Sequence, residues 1–259
     1  MHHGPLRWGV NQNDFCIEGK MIPWQLLDSS PISGDSGILR LYRRGDEFSI
    51  RVEGCELMNS RVHGSEDALA ELACARFANR PAPKVLIGGL GMGYTVAAAL
   101  QNLNPQAQVV VAELVPAVVA WNQGPLGPLA GHPLKDSRVL VRAIDVALIL
   151  KTEQHAYDAV ILDVDNGPDG LTRTGNGWLY TRAGLKAIYS ALKPGGILTV
   201  WSAAADPVFS KLLRQTGFTV EEVTVRARKR KGGSRHMIWL CEQHVTIDKA
   251  SGSRCKKKI

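Results

Sequence analysis

At 259 residues, 45% hydrophobic and 21% charged, the chain is long enough for one large α/β core with a small appendage, and it carries no low-complexity tract. Its five cysteines, Cys16, Cys55, Cys74, Cys241 and Cys255, are odd in number and never spaced as Cys-x-x-Cys. That argues against a disulfide framework or a metal site and for a reducing, cytoplasmic setting. No stretch approaches the ~20 apolar residues of a membrane span and the first residues lack an apolar leader core, so a soluble protein without a membrane partner is expected.

The formal net charge of +7 is concentrated, because RARKRKGGSRH (226–236) holds six Lys or Arg and no acid, and the chain ends in RCKKKI. Such a segment reads as a solvated hairpin and tail, and its sharper reading is attraction to an anionic partner such as nucleic acid, which is not favoured.

Residues 1–63 read as a small N-terminal β unit, in which ILRLYRR (38–44) and FSIRVEG (48–54) alternate in polarity about a Gly45-Asp46 turn. Ser65, followed by Glu66 and Asp67, reads as the cap of a helix that Asn79-Arg80-Pro81 stops. From 64 to 245 short apolar runs alternate with helical ones, the pattern of a Rossmann-like parallel sheet buried on both faces. Seven strands are expected, at 84–88, 108–114, 138–142, 158–164, 197–203, 218–225 and 236–242, the last two as an antiparallel hairpin. Residues 246–259 form a basic tail.

The most informative segment is KVLIGGLGMGYTVAAAL (84–100), a strand, a turn bearing Gly88, Gly89, Gly91 and Gly93, and a helix. Glycines let the backbone take positive φ or lie against a ligand, and the helix start offers free N–H groups. Tyr94 stands where a dinucleotide fingerprint needs its third small residue, so the turn fits an S-adenosylmethionine-type nucleoside instead.

Glu113 ends the second strand, where an acid can accept from both ribose hydroxyls. Asp145 opens a helix after the third strand and is either an N-cap or an acceptor for the adenine amino group. The fourth strand runs into DVDNGPDG (163–170), placing Asp163 and Asp165 at the ligand-binding edge of the sheet as candidates for handling a cationic or protic acceptor.

GGLGMG, AEL, AID and YDAVILDVDNGPDGLTRTGNGWLYT together resemble the spermidine synthase (polyamine aminopropyltransferase) family over residues 38–242. The resemblance implies a transferase of polyamine biosynthesis using S-adenosylmethionine or its decarboxylated form as co-substrate. Gly88 to Gly93, Glu113 and Asp145 would hold the nucleoside, and Asp163 with Asp165 or Asn166 would activate a small amine. A homodimer is expected.

Two positions depart from the family pattern. The turn aspartate that pairs with the aminopropyl amine is Gly91 here, which shifts weight towards the intact donor and methyl transfer or towards a paralogue with an altered substrate, and HGSEDALAEL replaces the Tyr-His-Glu helix. Trp178 and Tyr180 either wall the acceptor pocket by cation–π contact or pack in the core. The competing readings are a methyltransferase with an anionic or nucleic-acid acceptor and a non-catalytic nucleoside-binding paralogue.

Overall fold

The computed structural model describes residues 22–32, 37–164, 176–228 and 233–244; the tail 246–259, and Asp165 and Asn166, lie outside them. The N-terminal unit is a four-stranded antiparallel sheet, β1 (Gln25–Pro31), β2 (Ile38–Arg44), β3 (Glu47–Val52) and β4 (Cys55–Asn59), paired in chain order. Sequence alternation finds only β2 and β3, which turn Leu39, Leu41, Phe48 and Ile50 into the core. β1 and β4 carry little of that alternation and are held by backbone pairing to β2 and β3. Between β3 and β4 both Glu53 (φ 50°) and Gly54 (φ 85°) take positive φ, the geometry of a tight hairpin turn.

The chain then enters α1 (Gly64–Ala75), whose N-cap is His63 without a side-chain cap bond, and not Ser65. Ser65 is buried within the first turn and its hydroxyl donates to Glu66 Oε2 at 2.6 Å. The helix also ends earlier than Asn79-Arg80-Pro81. Arg80 leaves it to bind the buried Asp158 carboxylate and the carbonyls of Pro194 and Gly195.

Seven further strands follow as expected: β5 (Lys84–Gly88), β6 (Gln108–Ala112), β7 (Val139–Arg142), β8 (Tyr157–Leu162), β9 (Leu192–Ser202), β10 (Phe218–Arg226) and β11 (Arg235–Gln243). Their order is β10-β11-β9-β8-β5-β6-β7, parallel from β9 to β7 and closed by the antiparallel β10–β11 hairpin. Five more helices cover its faces: α2 (Tyr94–Asn102), α3 (Pro116–Gln123), α4 (Val146–Thr152), α5 (Arg182–Ala191) and α6 (Pro207–Thr216).

The period of two along each strand divides the core. Val85, Ile87, Val109, Val111, Ala159 and Ile161 face α1 to α3 and the N-terminal sheet. Leu86, Val110, Val160, Leu162, Leu198 and Val200 face α4 to α6. Every residue of β8 is buried, as its place in the middle of the sheet requires.

Candidate active site

β5 pairs with β6 on one side and with β8 on the other, because the chain winds outward from β5 to β6 and β7 and then crosses back to β8. Such a switch point opens a crevice at the carboxyl ends of the strands, and the glycine turn and Asp163 sit there. Gly88 continues β5, accepting from Asp163 N, while the Gly89 N–H donates to the Ala112 carbonyl, both at 2.9 Å. Gly89, Gly91 and Gly93 have φ of 90°, 52° and 84°, which explains why three of the four sequence glycines are needed. A Cβ on Gly89 would overlap the Asp163 carbonyl, so turn and strand end lie in direct contact.

The turn wraps around Glu113, whose Oε2 accepts from Leu90 N at 3.0 Å and Oε1 from Val115 N at 2.8 Å. Glu113 is only 9% exposed, anchored in the crevice and not turned to solvent. Asp145 is the N-cap of α4, its side chain accepting from Ala147 N at 2.8 Å, and it also lines the crevice, so the cap and the ligand-facing position are compatible. Asp163 Oδ2 accepts from Thr95 Oγ1 at 2.5 Å, tying the end of β8 to the first turn of α2. Burial pushes the Asp163 carboxyl above the ordinary carboxylate range against that hydrogen bond.

The crevice deepens into a cavity of about 410 Å³ roofed by the N-terminal sheet, with Leu39, Ile50 and Met58 on that side. This is the volume of a site for a small organic ligand. It contains four acids, Glu66, Glu113, Asp145 and Asp163, together with His236, and among its described lining residues there is no Lys or Arg. The described acids of the cavity thus give it a negative potential wherever they are ionised.

Glu66, a helix-entry acid by its place in the sequence, lines the cavity in the fold. The missing signal was tertiary, since only the packing of α1 against β9 and β11 turns Glu66 inward. Its carboxyl is raised to about 7 by burial and by the charge of Asp163. Two further groups escaped notice: His236 of β11, and Trp201 of β9, whose buried indole N–H has no partner among the described residues.

Trp178 and Tyr180 do not line this cavity. Tyr180 is buried in the second core, donating to the Val164 carbonyl at 3.0 Å, and the Trp178 ring is covered by Lys151 Nζ at 4.3 Å. At Gly91, the position of the family's aspartate, a Cβ would stand 3.2 Å from Met58 Sδ, so a thioether of β4 fills the space of that side chain.

Strand order and glycine turn define the Rossmann-like sheet of S-adenosylmethionine-dependent methyltransferases, with a β unit added in front. Among solved structures the fold is that of the spermidine synthases. The chain superposes on spermidine synthase from Thermotoga maritima and on a spermidine synthase in complex with the transition-state analogue AdoDATO, each with a TM-score of 0.65, 16% identity, and coverage of 85% of this chain and 73% of the other. A probable spermidine synthase from Corynebacterium glutamicum matches at TM-score 0.58 and 14% identity, covering 84% and 79%. No protein-family model and no curated protein matches.

Proposed function

We propose that the protein transfers an alkyl group from an S-adenosylmethionine-type sulfonium to a small amine. The observation that carries this reading is the cavity at the switch point, with four acids and no Lys or Arg among its described lining residues, joined to a glycine turn wrapped around Glu113. The turn's backbone and Glu113 would hold the ribose side of the nucleoside, Asp145 its adenine edge, and the apolar roof would exclude water. Neighbours of the same fold include one described with a transition-state analogue, which supports the assignment of the site to transfer chemistry.

The sulfonium carbon is already electrophilic, so the chain's own residues need only align the acceptor and take its proton. A bound ammonium meets Asp163 and Glu66. Loss of its proton to this pair frees the nitrogen lone pair, which forms the new C–N bond while the C–S bond breaks and its electrons remain on sulfur. Asp165 and Asn166 belong to this acceptor side as sequence expectations.

The Met58–Gly91 contact favours a second reading of the transferred group, because a thioether offers nothing to the ammonium of a decarboxylated donor. Methyl transfer from the intact donor is that reading. Calorimetry with methylthioadenosine, S-adenosylmethionine and decarboxylated S-adenosylmethionine, followed by mass spectrometry of products from a panel of diamines, tests both. Binding of a nucleoside and a mass gain on an amine are expected, with the gain identifying the group. Failure of all three nucleosides to bind would remove the reading.

A further inference from the structure

The acidic pair of the cavity continues into a chain of hydrogen bonds that reaches the surface. Glu66 Oε2 is 2.6 Å from Ser65 Oγ, Ser65 Oγ is 2.9 Å from His236 Nδ1, and His236 Nε2 is 3.0 Å from Ser234 Oγ. Ser65 is fully buried and Ser234 is exposed. The donation of Gly64 N to the Ala227 carbonyl at 2.9 Å pins the start of α1 to the β10–β11 hairpin and holds Ser65 against His236.

We propose that Glu66, Ser65 and His236 form the path by which a proton taken up in the cavity leaves to solvent at Ser234. The inference rests on the amine-acceptor reading above for the source of that proton.

Donor and acceptor counting gives the path two mirror states. With Glu66 ionised, its carboxylate can only accept, so Ser65 donates to Glu66, His236 Nδ1–H donates to Ser65, and Ser234 donates to bare Nε2. With Glu66 protonated on Oε2, each bond reverses: Glu66 donates to Ser65, Ser65 to bare Nδ1, and Nε2–H to Ser234. Passing from the acid to the carboxylate state moves the Glu66 proton to Ser65 and the Ser65 proton to Nδ1, while the Nε2 proton leaves. One proton enters and one departs, no charge stays on the way, and the imidazole changes tautomer.

Burial lowers the His236 pKa, which favours the neutral ring. The ionisable groups around Glu66 are Asp163 from the end of β8, Tyr94 from α2, Asp67 with its partner His63 from the start of α1, and His236 from β11. Glu113 and Asp145 lie further along the cavity. Of these, Glu66 itself is held at about 7, and burial raises Tyr94 to about 12.

The test uses the whole chain labelled with ¹⁵N-histidine, because ring nitrogen shifts report the tautomer without any turnover. Across the pH range in which Glu66 titrates, His236 should change from Nε2–H to Nδ1–H. In Ser65→Ala and in Glu66→Gln the tautomer should no longer follow pH, either variant sufficing if the other does not fold. A single tautomer across the range in the parent overturns the path.

In turnover with an amine, Ser65→Ala should lower kcat by about tenfold with donor affinity and amine KM within about threefold, and imidazole should restore His236→Ala. Equal kcat and pH profile for parent and Ser65→Ala overturns the path as well. A pH-linked tautomer in a protein that alkylates no amine upholds the path and overturns the assigned reaction.

Discussion

Glu113 joins the backbone of the fold to the lining of the cavity through one carboxylate. Its two oxygens hold the backbone on either side of the crevice, Leu90 in the glycine turn and Val115 before α3, and the same side chain faces the cavity. Glu113→Ala should therefore weaken methylthioadenosine binding by roughly 1.5–3 kcal/mol, the range for bonds to a charged group, as read by calorimetry. An unchanged dissociation constant would take Glu113 out of the site.

In the proposed reaction Asp163 takes part in the chemical step. Asp163→Asn preserves the shape that accepts from Thr95 but removes the charge and basicity, so amine turnover should fall by about 10²–10⁴-fold while donor affinity changes little. Retained turnover with the parental pH profile would assign the proton to another group.

At the scale of elements, the glycine turn is where substitution separates steric from conformational cost. Gly89 (φ 90°) lies against the Asp163 carbonyl, whereas Gly131 (φ 72°) has nothing within 4 Å of the position of a Cβ. Gly131→Ala should cost only the backbone strain of a left-handed residue, about 1–2 kcal/mol. Gly89→Ala adds overlap with the end of β8 and should both lower Tm further and abolish nucleoside binding. Similar losses in the two variants would mean that the contact between turn and strand is slack.

The basic segment 226–236, of which residues 229–232 lie outside the described residues, has its own test. Replacing Arg228, Lys229, Arg230 and Lys231 by serine should leave small-amine turnover and its salt dependence unchanged if the segment is only solvated. A fall in activity that also removes sensitivity to ionic strength would identify a recruiting surface for an anionic acceptor.

For the molecule as a whole, the acidic cavity is a stability cost that pH exposes. Glu66 titrates at about 7 in the fold against an ordinary carboxyl value of 4.5, so between these values the folded chain holds more protons than the unfolded one. The contribution is therefore fully present below about pH 4.5 and lost as pH rises through about 7. Tm should accordingly fall between about pH 5 and pH 7 more steeply in the parent than in Glu66→Gln. Parallel curves would show that Glu66 is solvated. A bound diamine should offset the loss, and its stabilisation should grow with pH because the ionised pair attracts it. Among the described residues no helix is long and apolar enough to cross a membrane.

Elements whose burial is local in cause were legible in the sequence. Continuous apolar runs such as KVLIG and DAVILDV give strands covered on both faces, and glycines followed by a helical pattern mark the tight turn between β5 and α2. Glu113, Asp145 and Asp163 could be placed because each ends or follows a strand, and parallel strands bring those ends to one edge.

What depends on approach between distant segments was decided only by the tertiary structure. β1 and β4 have no pattern of their own and exist through their partners' backbone. Ser65 reads as a cap until packing buries it beside His236, 171 residues away. Glu66 looks like a first-turn acid until α1 settles against β9 and β11, and Met58 becomes a neighbour of Gly91 only when the N-terminal sheet closes over the crevice. Period and turn chemistry determine elements, because they act over a few residues. The direction of a single side chain at an element's end follows from which surface packs against it, and that is a property of the folded chain alone.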